Sequence, residues 1–86
     1  MDDCHKQVML RLRRIEGQLR GIQKMIDNGH ECSDIISQMS AVRSAVNNTM
    51  GIMMTENVKH IVEHPLKDPV QQRERLNKAI DMLIKK

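Results

Sequence analysis

Three runs of apolar residues spaced by threes and fours, two strong stop signals between them, and no apolar–polar alternation predict an all-α fold of three helices. The first run, from about Asp3 to Asp27, places Val8, Leu12, Ile15, Leu19, Ile22 and Ile26 on one face of an amphipathic helix. Asn28-Gly29 ends it, because both residue types tolerate the left-handed conformation that closes a helix.

The second run, from about Ser33 to His64, carries Ile35, Met39, Val42, Val46, Met50, Met53, Asn57 and Ile61. At 1.5 Å per residue such a helix is about 50 Å long, more than one small chain can cover, so a second chain beside it is expected. Ser37, Ala41, Ser44 and Ala45 add small residues on which another helix could approach closely. Asn57 is a polar residue at a core-face position, a kind of substitution that commonly sets helix register. Pro65 stops this helix. Asp68-Pro69-Val70-Gln71 then reads as an N-cap, a proline at the first helical position and a capping-box glutamine. Leu76, Ile80 and Leu83 supply the stripe of the third helix.

Composition narrows the class further. Residues 1–86 make a single domain near the lower size limit for a self-sufficient core, and no aromatic residue contributes to it, so oligomerisation is expected. The two cysteines cannot form a disulfide framework. The N-terminus is acidic where a signal peptide is basic, and no apolar stretch is long enough to cross a bilayer. These features predict a cytoplasmic protein, away from membranes, with reduced thiols.

Fourteen Lys and Arg against eleven Asp and Glu make the chain mildly basic, but placement matters more than the total. Arg11, Arg14 and Gln18 fall beside the apolar stripe of the first helix, Lys6, Arg13, Arg20 and Lys24 cluster on its other side, and Arg43 projects from the second helix. Repeated by symmetry, these cations suit a row of phosphates. The ordinary alternative is a solvated outer face. Without aromatics to stack on bases, and without a short helix-turn-helix pair, duplex DNA bound through its backbone is the nucleic acid such a surface fits.

Cys4 lies in the first turn of helix one, and Cys32 just before helix two. A helix N-terminus favours the thiolate, the form that binds metal or attacks electrophiles, whereas Asp3, Glu31 and Asp34 oppose it. His60 and His64 have the i, i+4 spacing of a chelating pair, and His5 and His30 stand near the two thiols. Solvated histidines and inert cysteines are the plainer readings of all of these.

The segments Arg13-Arg14-Ile15-Glu16-Gly17-Gln18-Leu19-Arg20-Gly21-Ile22, Cys32, and Ile36-Ser37-Gln38-Met39-Ser40-Ala41-Val42-Arg43-Ser44-Ala45 closely resemble the CsoR/RcnR/FrmR family of bacterial repressors. The resemblance extends over essentially the whole chain. It implies an antiparallel helical-bundle dimer assembling into a disc-shaped homotetramer, without a helix-turn-helix, that releases operator DNA when an effector engages a site between protomers. Arg11, Arg14 and Arg43 match the family's DNA-contacting arginines, and Gln18 lies in the same segment.

Copper sensors of the family continue from the matching cysteine to a histidine 25 and a cysteine 29 residues later; here those positions hold Asn57 and Ile61. Nickel and cobalt sensors, which carry histidine at the last position, and persulfide sensors, which carry cysteine there, also find Ile61. Formaldehyde sensors pair the cysteine with an N-terminal amine. In the family the start of helix one comes near the first cysteine of the neighbouring protomer, which would bring Cys4, His5 and the amine to Cys32 of another subunit.

The expectation is therefore a non-enzymatic repressor whose Arg11, Arg14, Gln18 and Arg43 bind duplex operator DNA and whose Cys32, with Cys4, senses the effector. A transition metal ion, with Cys4, His5, Cys32, His60 and His64 as candidate ligands, is placed ahead of a reactive electrophile or sulfur species such as formaldehyde or persulfide. The alternative is a small helical metal-binding or interaction module that does not bind DNA. No glycine-rich phosphate loop, nucleophile elbow or enclosed constellation suggests catalysis.

Overall fold

The computed structural model describes residues 3–85 as three helices, α1 (Asp3–Asp27), α2 (Cys32–Glu63) and α3 (Pro69–Lys85). No strand occurs among the described residues. The all-α expectation holds, with one shift: α2 begins at Cys32 itself, so the thiol belongs to the helix. The chain divides within α2 into two compact units, residues 3–49 and 50–85 of those described.

In the first unit α1 closes at Gly29, which adopts φ 73°. The N–H of His30 donates to Met25 O (3.0 Å) and that of Gly29 to Ile26 O (3.1 Å), the paired closure that satisfies the last carbonyls of a helix. His30 also turns its Nδ1 towards Met25 O (3.1 Å), so this ring is engaged at the helix end. The stripe read from periodicity divides in two. Ile15 and Ile22 are buried and Val8 is half-buried, whereas Leu12, Leu19 and Ile26 are exposed. On α2 the covered positions of this unit are Ile35, Val42, Ala45 and Thr49, with Met39 and Val46 exposed. Thr49 is buried without cost because its Oγ1 donates to Ala45 O (2.8 Å).

In the second unit the covered residues of α2 are Gly51, Ile52, Met54, Val58 and Ile61, with Glu56 half-buried. Met50, Met53 and Asn57, expected on the core face, are exposed. On α3 the buried centre is Ala79, flanked by Gln72, Arg75, Leu76 and Leu83, and the expected Ile80 is 38% exposed. Periodicity identified the right helix surface, but the small Ala79 occupies the position of closest approach.

The α2–α3 connection is held by an amide other than the expected one. Asp68 caps α3, its Oδ1 accepting from Val70 N (3.0 Å) and its carbonyl from Gln72 N (3.0 Å). Gln72, one residue beyond the anticipated Gln71, then reaches back. Its Oε1 accepts from Leu66 N (2.8 Å) and its Nε2 donates to Ile61 O (3.0 Å). One side chain thus satisfies a donor of the connecting segment and an orphan carbonyl at the end of α2.

The exposed apolar side chains include Leu12, Leu19, Ile26, Ile36, Met39 and Val46 of the first unit and Met50 and Met53 of the second.

Two substitutions test this packing by urea unfolding. Gln72→Ala should cost about 1–3 kcal/mol, because it leaves a donor and an acceptor unmade, while Gln71→Ala should stay within about 0.5 kcal/mol. Ile61→Ala should cost about 2–4 kcal/mol as a cavity mutation, against little change for the exposed Asn57→Ala.

Candidate effector and nucleic-acid sites

The side chains with chemistry to offer stand on two surfaces. On α2, Cys32, Ile36, Met39 and Arg43 follow one another at helical spacing, and all are exposed. Cys32 precedes Met39 by two turns and therefore lies on the same uncovered strip of helix. Farther along, in the second unit, Met53 and Asn57 each precede a histidine by seven residues, His60 and His64 respectively.

Those two imidazoles are stacked, ring centres 4.6 Å apart and planes inclined by 26°. The N–H of His64 donates to His60 O (2.9 Å), continuing the helical turn past Glu63, and His64 Nδ1 approaches the same carbonyl (3.3 Å). Both rings are exposed. Position 61 between them behaves oppositely: Ile61 is 2% exposed and its carbonyl is taken by Gln72. It is a packing residue and offers no donor side chain to solvent.

Cys4 is half-buried in the first turn of α1 and His5 is exposed beside it. Cys4 and Asp27 are separated by about 35 Å of helix rise, and Cys32 follows the turn at the far end, so the two thiols cannot meet within one chain. Among the described residues no three His, Cys, Asp or Glu side chains come together as a metal site. Thiolate and imidazole are donor types that suit a borderline or soft ion, and Cys32, His60 and His64 do not come together as such a site within this chain.

The other surface is the basic flank of α1. Lys6, Arg11, Arg13, Arg14, Arg20 and Lys24 are all exposed, as is Arg43 on α2. Gln18 differs: it is half-buried, and its Oε1 is enclosed without a hydrogen-bond partner. Its carbonyl is turned into the first unit, unlike the guanidinium groups around it. The helical wheel and the family segment both placed Gln18 with the arginines, and packing sets its side chain apart from theirs.

Gly17 and Gly21 share the arginine flank, spaced by three or four from Arg13, Arg14, Arg20 and Lys24. A Cβ at either would meet nothing within 4 Å. A glycine inside a helix costs about 1 kcal/mol relative to alanine, and nothing in the chain's own packing requires these two. They keep the helix surface low between its cations, a signal present in the sequence but not singled out by charge patterning.

Residues 4–85 match the family model described as metal-sensitive transcriptional repressor. The chain is 43% identical over 61 residues to the copper-sensing transcriptional repressor CsoR of Bacillus subtilis, covering 71% of this chain and 60% of that protein. It is 44% identical over 52 residues to the copper-sensing transcriptional repressor RicR of Mycobacterium tuberculosis, covering 60% of this chain and 54% of that one. Those two matches thus span less than two thirds of either relative. Transcriptional repressor RcnR of Escherichia coli O9:H4 is 36% identical over 81 residues, covering 87% of this chain and 86% of the repressor. With nearly all of its residues matched to the family model, this chain belongs to the metal-sensitive transcriptional repressor family.

Proposed function

We propose that the chain is a metal-responsive transcriptional repressor acting in the cytoplasm, which binds duplex operator DNA and is released from it by an effector at Cys32. The observation that carries this reading is the family match over residues 4–85 onto a chain whose Arg11, Arg14 and Arg43 stand exposed. Arginine guanidinium groups bind phosphate oxygens through paired N–H donors, and the low surface at Gly17 and Gly21 lets a phosphate backbone come close to α1. Gln18 lies on the same helix, half-buried between them and the core of the first unit.

The acting unit is an oligomer of this chain. Leu12, Leu19, Ile26, Ile36, Met39 and Val46 of the first unit and Met50 and Met53 of the second stand exposed, apolar surface of the kind that an obligate dimer interface buries. An antiparallel dimer covers the exposed strip of α2. The exposed Leu12, Leu19, Ile26 and Ile84 leave further surface for pairing two dimers into a tetramer. Copies of the arginine flank are then repeated at fixed spacing, as binding to successive phosphates requires.

Cys32 lies on the strip that a second chain covers. A transition metal ion supplies, when bound, a fixed coordination geometry. Thiolate and imidazole donors contributed by two chains can meet that geometry in only one mutual arrangement. The arginine sets follow the chains that carry them, so DNA affinity differs between the effector-bound and effector-free arrangements. Cys32 is also the one exposed cysteine among the described residues, which makes a covalent effector the competing reading.

Titration of duplex DNA at increasing salt tests the reading. Wild-type affinity should fall steeply with salt. Arg14→Ala or Arg43→Ala should weaken binding about equally on all sequences and flatten the slope by about 1 for each phosphate that the variant no longer neutralises. No binding at low salt would leave only a helical metal-binding or interaction module. Cys32→Ala should bind DNA like wild type yet remain bound when Zn(II), Co(II), Ni(II), Cu(I), formaldehyde or persulfide is added. The challenge that frees the wild-type protein, with or without an adduct mass on Cys32, identifies the effector class.

A further inference from the structure

Charge is distributed unevenly around α1. Between residues 4 and 26 its cations are Lys6, Arg11, Arg13, Arg14, Arg20 and Lys24, and its one acid is Glu16. At about 100° per residue, Lys6, Arg13, Arg20 and Lys24 form a single exposed row on the side of the helix away from the buried Ile15 and Ile22. Gly17 and Gly21 come next round the helix, and Arg14 closes a sector of about 120°. Glu16 falls outside this sector, on the far side of the row from the glycines.

A Cβ at either glycine would meet nothing within 4 Å, so neither is there to admit a neighbouring part of its own unit. Glycine is also the poorest helix former after proline, so the pair weakens α1 with no gain inside the chain. What the two positions create is a floor without side chains, with long cations on both sides of it. Leu10, 64% exposed, is the apolar side chain of the same sector, two turns before Gly17.

We infer that Gly17 and Gly21 are the floor on which one strand of duplex DNA is seated, with Lys6, Arg13, Arg20 and Lys24 on one side and Arg14 on the other. This rests on the repressor reading, and adds that closeness of approach sets the affinity together with charge. Without a Cβ the sugar-phosphate chain comes nearer to the helix than a side chain would allow, and the guanidinium groups of both walls reach its oxygens through paired N–H donors. The N–H groups of a helix interior are already bonded within the helix, so the floor supplies contact and the walls supply hydrogen bonds. A second copy of this surface is a poor occupant, since it would set like charges face to face. Single-stranded nucleic acid would find no aromatic side chain on which to stack.

Binding of a fluorescently labelled random-sequence duplex, followed by anisotropy over a range of salt, tests the seat, because backbone contacts do not depend on sequence. Gly17→Ala/Gly21→Ala should raise the urea midpoint of unfolding, alanine being the better helix former, and yet weaken DNA binding by about 10-fold or more. Its salt slope should match that of wild type, because no cation has been removed. Arg13→Ala/Arg20→Ala should instead flatten the slope by about 2, one for each phosphate no longer neutralised. Misfolding does not explain weaker binding by a variant that unfolds later than wild type.

Unchanged affinity in the double glycine variant, or an unchanged slope in Arg13→Ala/Arg20→Ala, overturns the seat. If Arg14→Ala and Arg43→Ala still weaken binding in that case, the repressor reading stands without it. Sedimentation should give the double glycine variant the same mass as wild type; a changed mass assigns the floor to a second copy and also overturns the seat. A wild type that binds no duplex at low salt overturns the seat and the repressor reading together.

Discussion

The constraint on which this structure depends is the mismatch between α2 and its own chain. A helix of 32 residues carries more apolar surface than the 25 residues of α1 and the 17 of α3 are able to cover. Within the first unit, α2 buries or half-buries Ile35, Val42, Ala45 and Thr49, and within the second, Ile52, Met54, Val58 and Ile61. Met39, Val46, Met50 and Met53 belong to neither set. At about 25 cal/mol per Å² of apolar surface, leaving them in water forgoes several kcal/mol, a large share of the stability of so small a chain. This strip of α2 is thus apolar surface that neither α1 nor α3 covers.

Much of this was legible in the sequence, for identifiable reasons. Helix ends were readable because they are set by local chemistry: only a residue tolerant of positive φ closes α1 at Gly29, and Asp68-Pro69 can hardly do anything other than start a helix. Which half of each apolar stripe is buried within the chain was not readable, since periodicity identifies a surface but not its neighbour. Ile80 and Ala79 are adjacent in sequence, and only the closeness of two helices decides that the smaller is buried. Gln72 replaced Gln71 for a related reason. Its bonds to Leu66 and Ile61 depend on a turn that brings residues 6 and 11 positions apart into reach, which no local motif encodes.

Position 61 shows what packing adds to a comparison by position. In sequence Ile61 reads as a missing ligand. In the structure it is among the most buried residues, and its carbonyl is held by the amide that closes the α2–α3 connection. A polar donor at this position would place an unsatisfied group in the core of the second unit, at a cost of about 1–3 kcal/mol, unless an ion repaid it. The chain has therefore committed this position to stability, while the imidazoles on either side face solvent.

That placement also determines how a signal could travel. His60 and His64 lie on the turn that ends α2, and Gln72 in the first turns of α3 bonds to the carbonyl of the residue between His60 and Val62. A force that repositions the histidine pair acts on Ile61 O, on the Gln72 amide, and through its Oε1 on Leu66 N. These are hydrogen bonds with defined partners, so a shift of the helix end must either move the start of α3 with it or break a bond worth about 1 kcal/mol. The chain thus joins an exposed helix face to a helix end whose movement the adjoining helix must follow.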